Sequence, residues 1–327
     1  MLQTFLNKYR NCALWILIAL LLPLVVRDEY YLMILTLCLI WAILASSLNL
    51  ILGFTGQACL AQGAFFGIGA YANTLLMIKM NFSFWAALPV AIAITGVFGF
   101  FIGLVALRTS GAYFAICTMM FNIIVTTVID RWESLTEGPR GIMGIPVPSG
   151  FGLIDFQSRT AFYYLALAGL LLTLLIVYQL MRSMIGKSFL AVRGNEELAQ
   201  AVGINIRQSK VVSFTLSTML AGLGGCLYAS YLGFISPDAS NFMVSFTALI
   251  NVIIGGMATL AGPIVGTIII TFMMEYFQTF VEYATLMMGI VLLIFIIYLP
   301  GGIIWGLRRL NNYLQSYRKK GKLYAAT

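Results

Sequence analysis

The chain has 327 residues, of which 61% are hydrophobic and only 9% are charged. An average soluble domain is about 45–50% apolar and about 25% charged, so this chain has too little charge to cover the surface of a soluble globule. The composition excludes a soluble enzyme, a nucleic-acid-binding domain and a disordered protein. It predicts an all-α fold, a polytopic bundle of transmembrane helices.

Stretches without charge locate the predicted spans, because a helix needs about 20 apolar residues to cross a bilayer. The stretch at 30–78 has room for two spans, and the stretch at 239–274 has room for two short or tilted spans if the second continues past Glu275. The other stretches predict one span each: 11–26, 80–107, 109–129, 160–181, 211–237 and 283–307. The total is ten, and it falls to nine if 239–274 forms a single span.

Charges divide unevenly between the two sides of the membrane that ten spans define. With the N-terminus inside, 14 of the 19 basic residues lie in cytoplasmic segments, whereas only two of the 11 acids, Glu196 and Glu197, lie there. An excess of Lys and Arg marks the cytoplasmic side, so both termini are predicted to be cytoplasmic. We expect one membrane domain over 1–327, with an extracytoplasmic loop at 130–159, a cytoplasmic loop at 182–210 and a basic cytoplasmic tail at 308–327.

Glycines and polar residues interrupt the charge-free stretch at 30–78, most densely between Gly53 and Gly63. Backbone groups freed by such a break are tolerated at membrane depth only where they are buried in protein or line a wet cavity. Two interpretations are open: the polar side chains line a substrate path, or they form hydrogen bonds between closely packed helices. The substrate-path candidates are Asn49, Thr55, Gln57 and Gln62, with Asn122 and Asn251 in later spans.

The cytoplasmic loop at 182–210 contains a predicted helix of about two turns. Asn195 can cap its N-terminus, Glu196 and Glu197 fall in its first turn, and Gly203 stops it. Such a helix either lies on lipid or docks a cytoplasmic partner, and acids at its start favour the partner because anionic headgroups would repel them. Its apolar face would consist of Leu198, Ala201 and Val202.

A third glycine-rich segment, 254–266, contains the pair Gly255-Gly256 and the dipeptide Gly262-Pro263 between two apolar arms. Glycine and proline punctuate helices in this way at turns. The segment predicts a tight reversal on the cytoplasmic side that lets two helices approach closely.

These three segments together resemble the permease subunits of branched-chain amino acid ABC importers of the LivM type. The resemblance extends over roughly residues 40–305, with the segments in the same order and at similar spacing. The chain departs from the family pattern at Cys59-Leu60-Ala61-Gln62, where the family often has Ser-Leu-Gly-His. Glutamine keeps the hydrogen-bonding ability of histidine but does not titrate.

The resemblance implies a multi-pass subunit of the bacterial inner membrane that moves branched-chain or related amino acids by alternating access. The implied partners are a second, related permease, two ABC ATPase subunits and a periplasmic substrate-binding protein. ATP and Mg²⁺ would bind to the ATPase subunits, so this chain is expected to bind no cofactor or metal itself and not to be an enzyme. The implied ATPase-coupling residues are Gly186, Arg193, Glu196, Glu197, Ala199 and Gly203.

Alternative functions remain open at this point. Importers of urea, amides and other amino acids share the same permease architecture. A stand-alone secondary carrier would need an ionisable residue within the membrane, for which Glu275 is the candidate. A membrane enzyme is not expected, because the chain has no histidine, and histidine is the most common general base and metal ligand.

Overall fold

The computed structural model describes most of the chain. The described residues are 17, 19–23, 28–150, 156, 158–277, 289, 290, 293, 297 and 301–306. The predicted spans at 11–26 and 283–307 lie largely outside them, and the basic tail at 308–327 lies wholly outside.

Helices make up most of the described structure. In chain order they are α1 (Glu29–Asn49), α2 (Gln62–Lys79), α3 (Phe84–Ala106), α4 (Ala112–Arg131), α5 (Glu133–Thr136), α6 (Arg159–Arg182), α7 (Met184–Gly194), α8 (Glu196–Ala201), α9 (Ile206–Leu232), α10 (Phe242–Gly255) and α11 (Gly262–Phe277). A π-helix over Leu50–Phe54 continues α1. Two short strands, β1 (Ile142–Met143) and β2 (Phe234–Ile235), pair antiparallel.

Five of the described helices are long and apolar enough to cross a membrane, namely α1 with its π-helical continuation, α3, α4, α6 and α9. The apolar helices α10 and α11 are shorter, with 14 and 16 residues. They occupy the stretch predicted to hold two short spans, and the second helix passes Glu275. The all-helical membrane fold is therefore confirmed, whereas the total of ten spans stays a prediction.

The centre of the bundle forms where α2 and α9 bring their backbones together. Gly69 lies against the backbone of Gly222, and Gly225 lies against the carbonyl of Phe66, so a methyl group on Gly69 or Gly225 would collide with backbone atoms. Small residues allow membrane helices to approach this closely. The peripheral helices are α3 and α4, whose most apolar stretches are only 28% and 22% buried, compared with 78% for α1.

One end of the bundle gathers the segments predicted to be extracytoplasmic. Arg159 at the start of α6 pairs with Glu29 at the start of α1 at 3.4 Å. The Lys79 ammonium at the end of α2 donates to the carbonyls of Ser134 and Leu135, and β1 in the 130–159 loop pairs with β2 beyond α9. The described part of this loop contains the short helix α5 and a 3-10 turn over Gly138–Arg140.

The opposite end gathers the segments predicted to be cytoplasmic. Arg108, between α3 and α4, lines the same cavity as Arg207 and Lys210. Ala258, between α10 and α11, packs in one apolar cluster with Phe189 of α7. The described segments therefore alternate between two faces as the charge pattern predicts, and the assignment of the cytoplasmic face rests on that charge pattern.

Two boundaries differ from the predictions. The loop at 182–210 was predicted to contain one helix, but α7 precedes α8, because Ser183 caps α7 and the side chains of Phe189 and Val192 are buried. The span predicted at 211–237 begins earlier, at Ile206, and ends at Leu232, where Gly233 adopts a left-handed conformation with φ of 66°.

Candidate coupling site and membrane break

The chain leaves helical conformation between the π-helix and α2, over residues 55–61, and we call this segment the break. Most of it is buried, with Cys59 and Ala61 fully enclosed. The amide of Leu60 donates to the hydroxyl of Thr118, in the first half of α4, at 3.1 Å. The break thus runs through the interior of the protein, which is where freed backbone groups are tolerated in a membrane.

The first turn of α2 begins inside the bundle, and two side chains accept its free N–H groups. The amide of Gly63 donates to Ser245 Oγ at 2.7 Å, and the amide of Ala64 donates to Asn122 Oδ1 at 2.8 Å. The side-chain amide of Asn122 also donates to the carbonyl of Ser240 at 2.8 Å. Asn122 therefore joins α4, α2 and the segment that leads into α10, and it satisfies a helix end that has no backbone partner.

Asn49, at the end of α1, holds the turn between α10 and α11. Its Nδ2 donates to the carbonyl of Thr259, and its Oδ1 accepts from the amide of Ala258, both at 2.9 Å. Gly53 lies against the same turn, where an added methyl group would come within 2.7 Å of the Ala258 nitrogen. The segment at 254–266 is therefore a tight reversal, as predicted, and a buried amide fastens it to α1.

The break is also tied to α9 by hydroxyl groups. Gln62 Nε2 donates to Ser217 Oγ at 2.6 Å, and Ser217 in turn donates to the carbonyl of Ser47. The hydroxyls of Thr55 and Ser213 are 2.7 Å apart. These bonds connect the two ends of the break to one face of α9.

All six substrate-path candidates are buried within the subunit. The structure brings Asn49, Thr55, Gln57 and Gln62 together around the break, and it uses Asn122 to hold the start of α2. Asn251 lies apart in α10, where its Oδ1 accepts no hydrogen bond from a described residue. The hydrogen bonds therefore favour the helix-joining interpretation for most of the set, and contact with cargo stays a prediction.

The predicted helix in the cytoplasmic loop is confirmed as α8. Asn195 Oδ1 accepts from the amide of Leu198 at 3.0 Å, and the helix ends before Gly203, which has a φ of 86°. Leu198 and Val202 are 65% and 71% exposed. Ala199 is buried, so α8 rests on Ala199 and presents apolar side chains outward.

Two of the coupling residues implied by the resemblance lie on α7 and have local structural roles. Gly186 packs on the end of α6, where a methyl group would collide with the carbonyl of Leu180. Arg193 is exposed and lies against Gly56 in the break, where an added methyl group would be 3.2 Å from Arg193 Cγ. The end of α7 therefore abuts the break directly.

Glu196 and Glu197, although adjacent, have different surroundings. Lys210 Nζ lies 2.7 Å from Glu196 Oε1 and 2.8 Å from its Oε2, and Gln57 Nε2 donates to Oε1 at 3.3 Å. The Lys210 side chain is only 5% exposed, whereas that of Glu196 is 40% exposed. Glu197 is exposed at the surface. The two predicted motifs, the break and the cytoplasmic helix, thus meet at Glu196.

Sequence reasoning did not single out the α9 residues that complete this site. Lys210, Ser213 and Ser217 are spaced three and four positions apart, so they lie on one face of a helix. That polar stripe at the start of an otherwise apolar span was the available signal. Its partners in the break are more than 150 positions away in sequence, so no local pattern connects them.

A cavity of about 380 Å³ opens beside Glu196 on the same face of the bundle. Its lining includes Arg108, Thr109, Glu196, Arg207 and Lys210. Three cationic side chains and one carboxylate therefore border it.

Comparison with known proteins identifies a family model described as "Branched-chain amino acid transport system / permease component", which matches residues 30–297. The chain is 33% identical over 291 residues to the high-affinity branched-chain amino acid transport system permease protein LivM of Escherichia coli (strain K12), covering 82% of this chain and 68% of that protein. It is 32% identical over 309 residues to LivM of Salmonella typhimurium (strain LT2), covering 88% and 72%.

A more distant relative is the autoinducer 2 import system permease protein LsrC of Enterobacter sp. (strain 638), which is 26% identical over 219 residues, covering 66% of this chain and 52% of that protein. No solved structure matches the chain.

Proposed function

Because this chain belongs to the permease-component family of branched-chain amino acid transport systems, we propose that it imports branched-chain amino acids as one permease subunit of an ATP-driven transporter in the bacterial inner membrane. It is a multi-pass membrane protein and a transport component rather than an enzyme. Permeases of this kind work with ATPase and substrate-binding partners.

The observation that carries the proposal is the exposed apolar face of α8. The side chains of Leu198 and Val202 are largely exposed, and α8 lies on the face predicted to be cytoplasmic. A helix with apolar side chains outward fits a groove in a partner protein. We propose that this partner is one of two ABC ATPase subunits, which would hold the ATP and Mg²⁺.

The remaining proposed partners would contact the lipid-facing helices and the face from which the substrate arrives. The weakly buried helices α3 and α4 offer apolar surface to lipid and to a second, related permease. A periplasmic binding protein would deliver the amino acid to the opposite face, where the 130–159 loop lies. ATP binding would then bias the equilibrium between an outward-open and an inward-open state, moving α8 with the ATPase.

The secondary-carrier alternative gains no support from Glu275. This carboxylate accepts a hydrogen bond from Tyr30, near the start of α1 and therefore at the predicted extracytoplasmic end of the bundle. An ion-coupled carrier uses ionisable groups deeper in the membrane. Glu275→Gln is therefore expected to leave the pH dependence of uptake unchanged.

The test is a mild-detergent purification of the tagged chain from its native host, with mass spectrometry of the co-purifying proteins. We expect a second polytopic chain and P-loop ATPases, and the reconstituted complex should take up leucine in competition with isoleucine and valine but not with urea. A chain that purifies alone and transports without ATP would contradict the proposed function. ATP-driven uptake of urea alone would contradict the substrate.

A further inference from the structure

The resemblance assigns Glu196 and Glu197 the same role, but their surroundings in the structure separate them. Glu197 is exposed and free to meet a partner on the surface, whereas Glu196 turns toward the body of the permease. We propose that Gln57, Glu196 and Lys210, which we call the Glu196 triad, transmit the movement of α8 to the break and to α9. Lys210 and Gln57 are its positioning residues, and this inference rests on the proposed function.

Lys210 is buried near the start of α9. Its ammonium group is almost completely removed from solvent, and the two oxygens of Glu196 are at 2.7 and 2.8 Å. A buried ammonium group requires a paired anion, since an unpaired one is strongly unfavourable. The start of α9 therefore cannot move away from Glu196 without either exposing Lys210 or carrying Glu196 along.

The helix α8 has few other attachments to the bundle. It contains six residues, too few to be stable as an isolated helix. The glycines on either side, Gly194 and Gly203, have open space where a side chain would be. Only Ala199 of this helix is buried. The orientation of α8 against the bundle therefore depends mainly on Glu196 and Ala199.

The carboxylate of Glu196 also reaches the break. Gln57 donates to the Glu196 oxygen nearest to Lys210, and Gln57 itself is buried. The bond between Thr55 and Ser213 joins the break to α9 one turn beyond Lys210. A displacement of α8 is thus passed to the break, which contains the substrate-path candidates Thr55 and Gln57, and to α9, which is hydrogen-bonded to it.

The experiment uses the complete importer reconstituted in proteoliposomes. Lys210→Met keeps the length of the side chain and removes its charge, and Gln57→Leu keeps the volume and removes the donor. We measure ATP hydrolysed and leucine transported in the same vesicles. Arg207→Met is the matched control, because it removes a cation from the same helix and the same cavity, where no described contact joins it to Glu196.

We expect Lys210→Met to keep substrate-stimulated ATP hydrolysis within about twofold while leucine transported per ATP falls about tenfold, which corresponds to about 1.4 kcal/mol of lost coupling. Gln57→Leu should lower the same ratio about threefold, and Arg207→Met should leave it unchanged. The double variant Lys210→Met with Glu196→Gln should be no worse than the more impaired of its single variants, because groups in one contact are not additive.

Three results would overturn the inference: an unchanged ratio in Lys210→Met, an equal loss in Arg207→Met, or additive losses in the double variant. If Lys210→Met prevents assembly of the importer, the double variant Glu196→Lys with Lys210→Glu, which exchanges the two charges, is tested instead. Restored assembly and transport would support the triad, and continued failure would reject it. A wild-type complex that shows no ATP-driven uptake would instead reject the proposed function.

Discussion

Asn122 separates the two interpretations of the polar residues inside the membrane. Its carbonyl oxygen accepts from the Ala64 amide at 2.8 Å and the Ser245 hydroxyl at 3.0 Å, and its amide donates to Ser240. Hydrogen bonds between membrane helices average about 0.6 kcal/mol and reach about 1.7 kcal/mol, so these three sum to about 2 kcal/mol. Asn122→Ala should therefore destabilise the subunit by about 2–3 kcal/mol, because two buried donors also lose their acceptor.

The assay is the apparent unfolding temperature of the detergent-solubilised subunit, together with the KM for uptake by the assembled importer. Because the unfolding entropy is about 2.1 cal/mol/K per residue, a loss of about 2 kcal/mol lowers the unfolding temperature of this 327-residue chain by roughly 3 °C. Thr127→Ala is the control on the same helix, because Thr127 is exposed and its hydroxyl bonds only to the carbonyl of Ile123 among the described residues. An unchanged unfolding temperature with a tenfold rise in KM would refute the structural role and make Asn122 a cargo contact.

Three further predictions concern other parts of the chain. Gly255→Ala should lower the unfolding temperature by several degrees, because the added methyl group collides with the carbonyl of the facing helix, whereas Gly194→Ala, which meets open space, should be tolerated in the same melting experiment. Val202→Asp should keep the subunit in the membrane but reduce co-purification of the ATPases at least fivefold, and undiminished co-purification would remove α8 from the contact. Single cysteines at Gly144 and Lys187 should react with a membrane-impermeant maleimide from opposite sides of sealed vesicles, and labelling from the same side would contradict the topology.

Much of the fold follows from local features of the sequence. Charge-free stretches located the described spans, and the capping side chain of Asn195, the acids after it and Gly203 predicted α8 with its limits. These signals are local, because a helix end is fixed by residues within one turn of it. The helix α7 was not expected, since Phe189 and Val192 belong to an apolar run of only four residues between Ser188 and Arg193, and what they pack against becomes visible only in the folded chain.

The sequence predicted most of the residues of the candidate site but not which of them contact one another. Gln57 and Glu196 were each singled out, yet their contact spans 139 positions, and Lys210, which completes it, looked like one more cytoplasmic cation. Asn122 was recognised as unusual at membrane depth, but whether it meets cargo or a helix end depends on how three distant segments fold around it. Tertiary arrangement alone supplies that information.

The start of α2 and the start of α10 converge beside Asn122, which lies near the middle of α4. Each helix start carries about half a positive charge from its aligned peptide dipoles. Two such ends in a region of low dielectric constant create a positive potential without any ionised side chain, and the neutral oxygen of Asn122 offsets only part of it. Such a potential is less favourable for a cation than for a carboxylate at this depth.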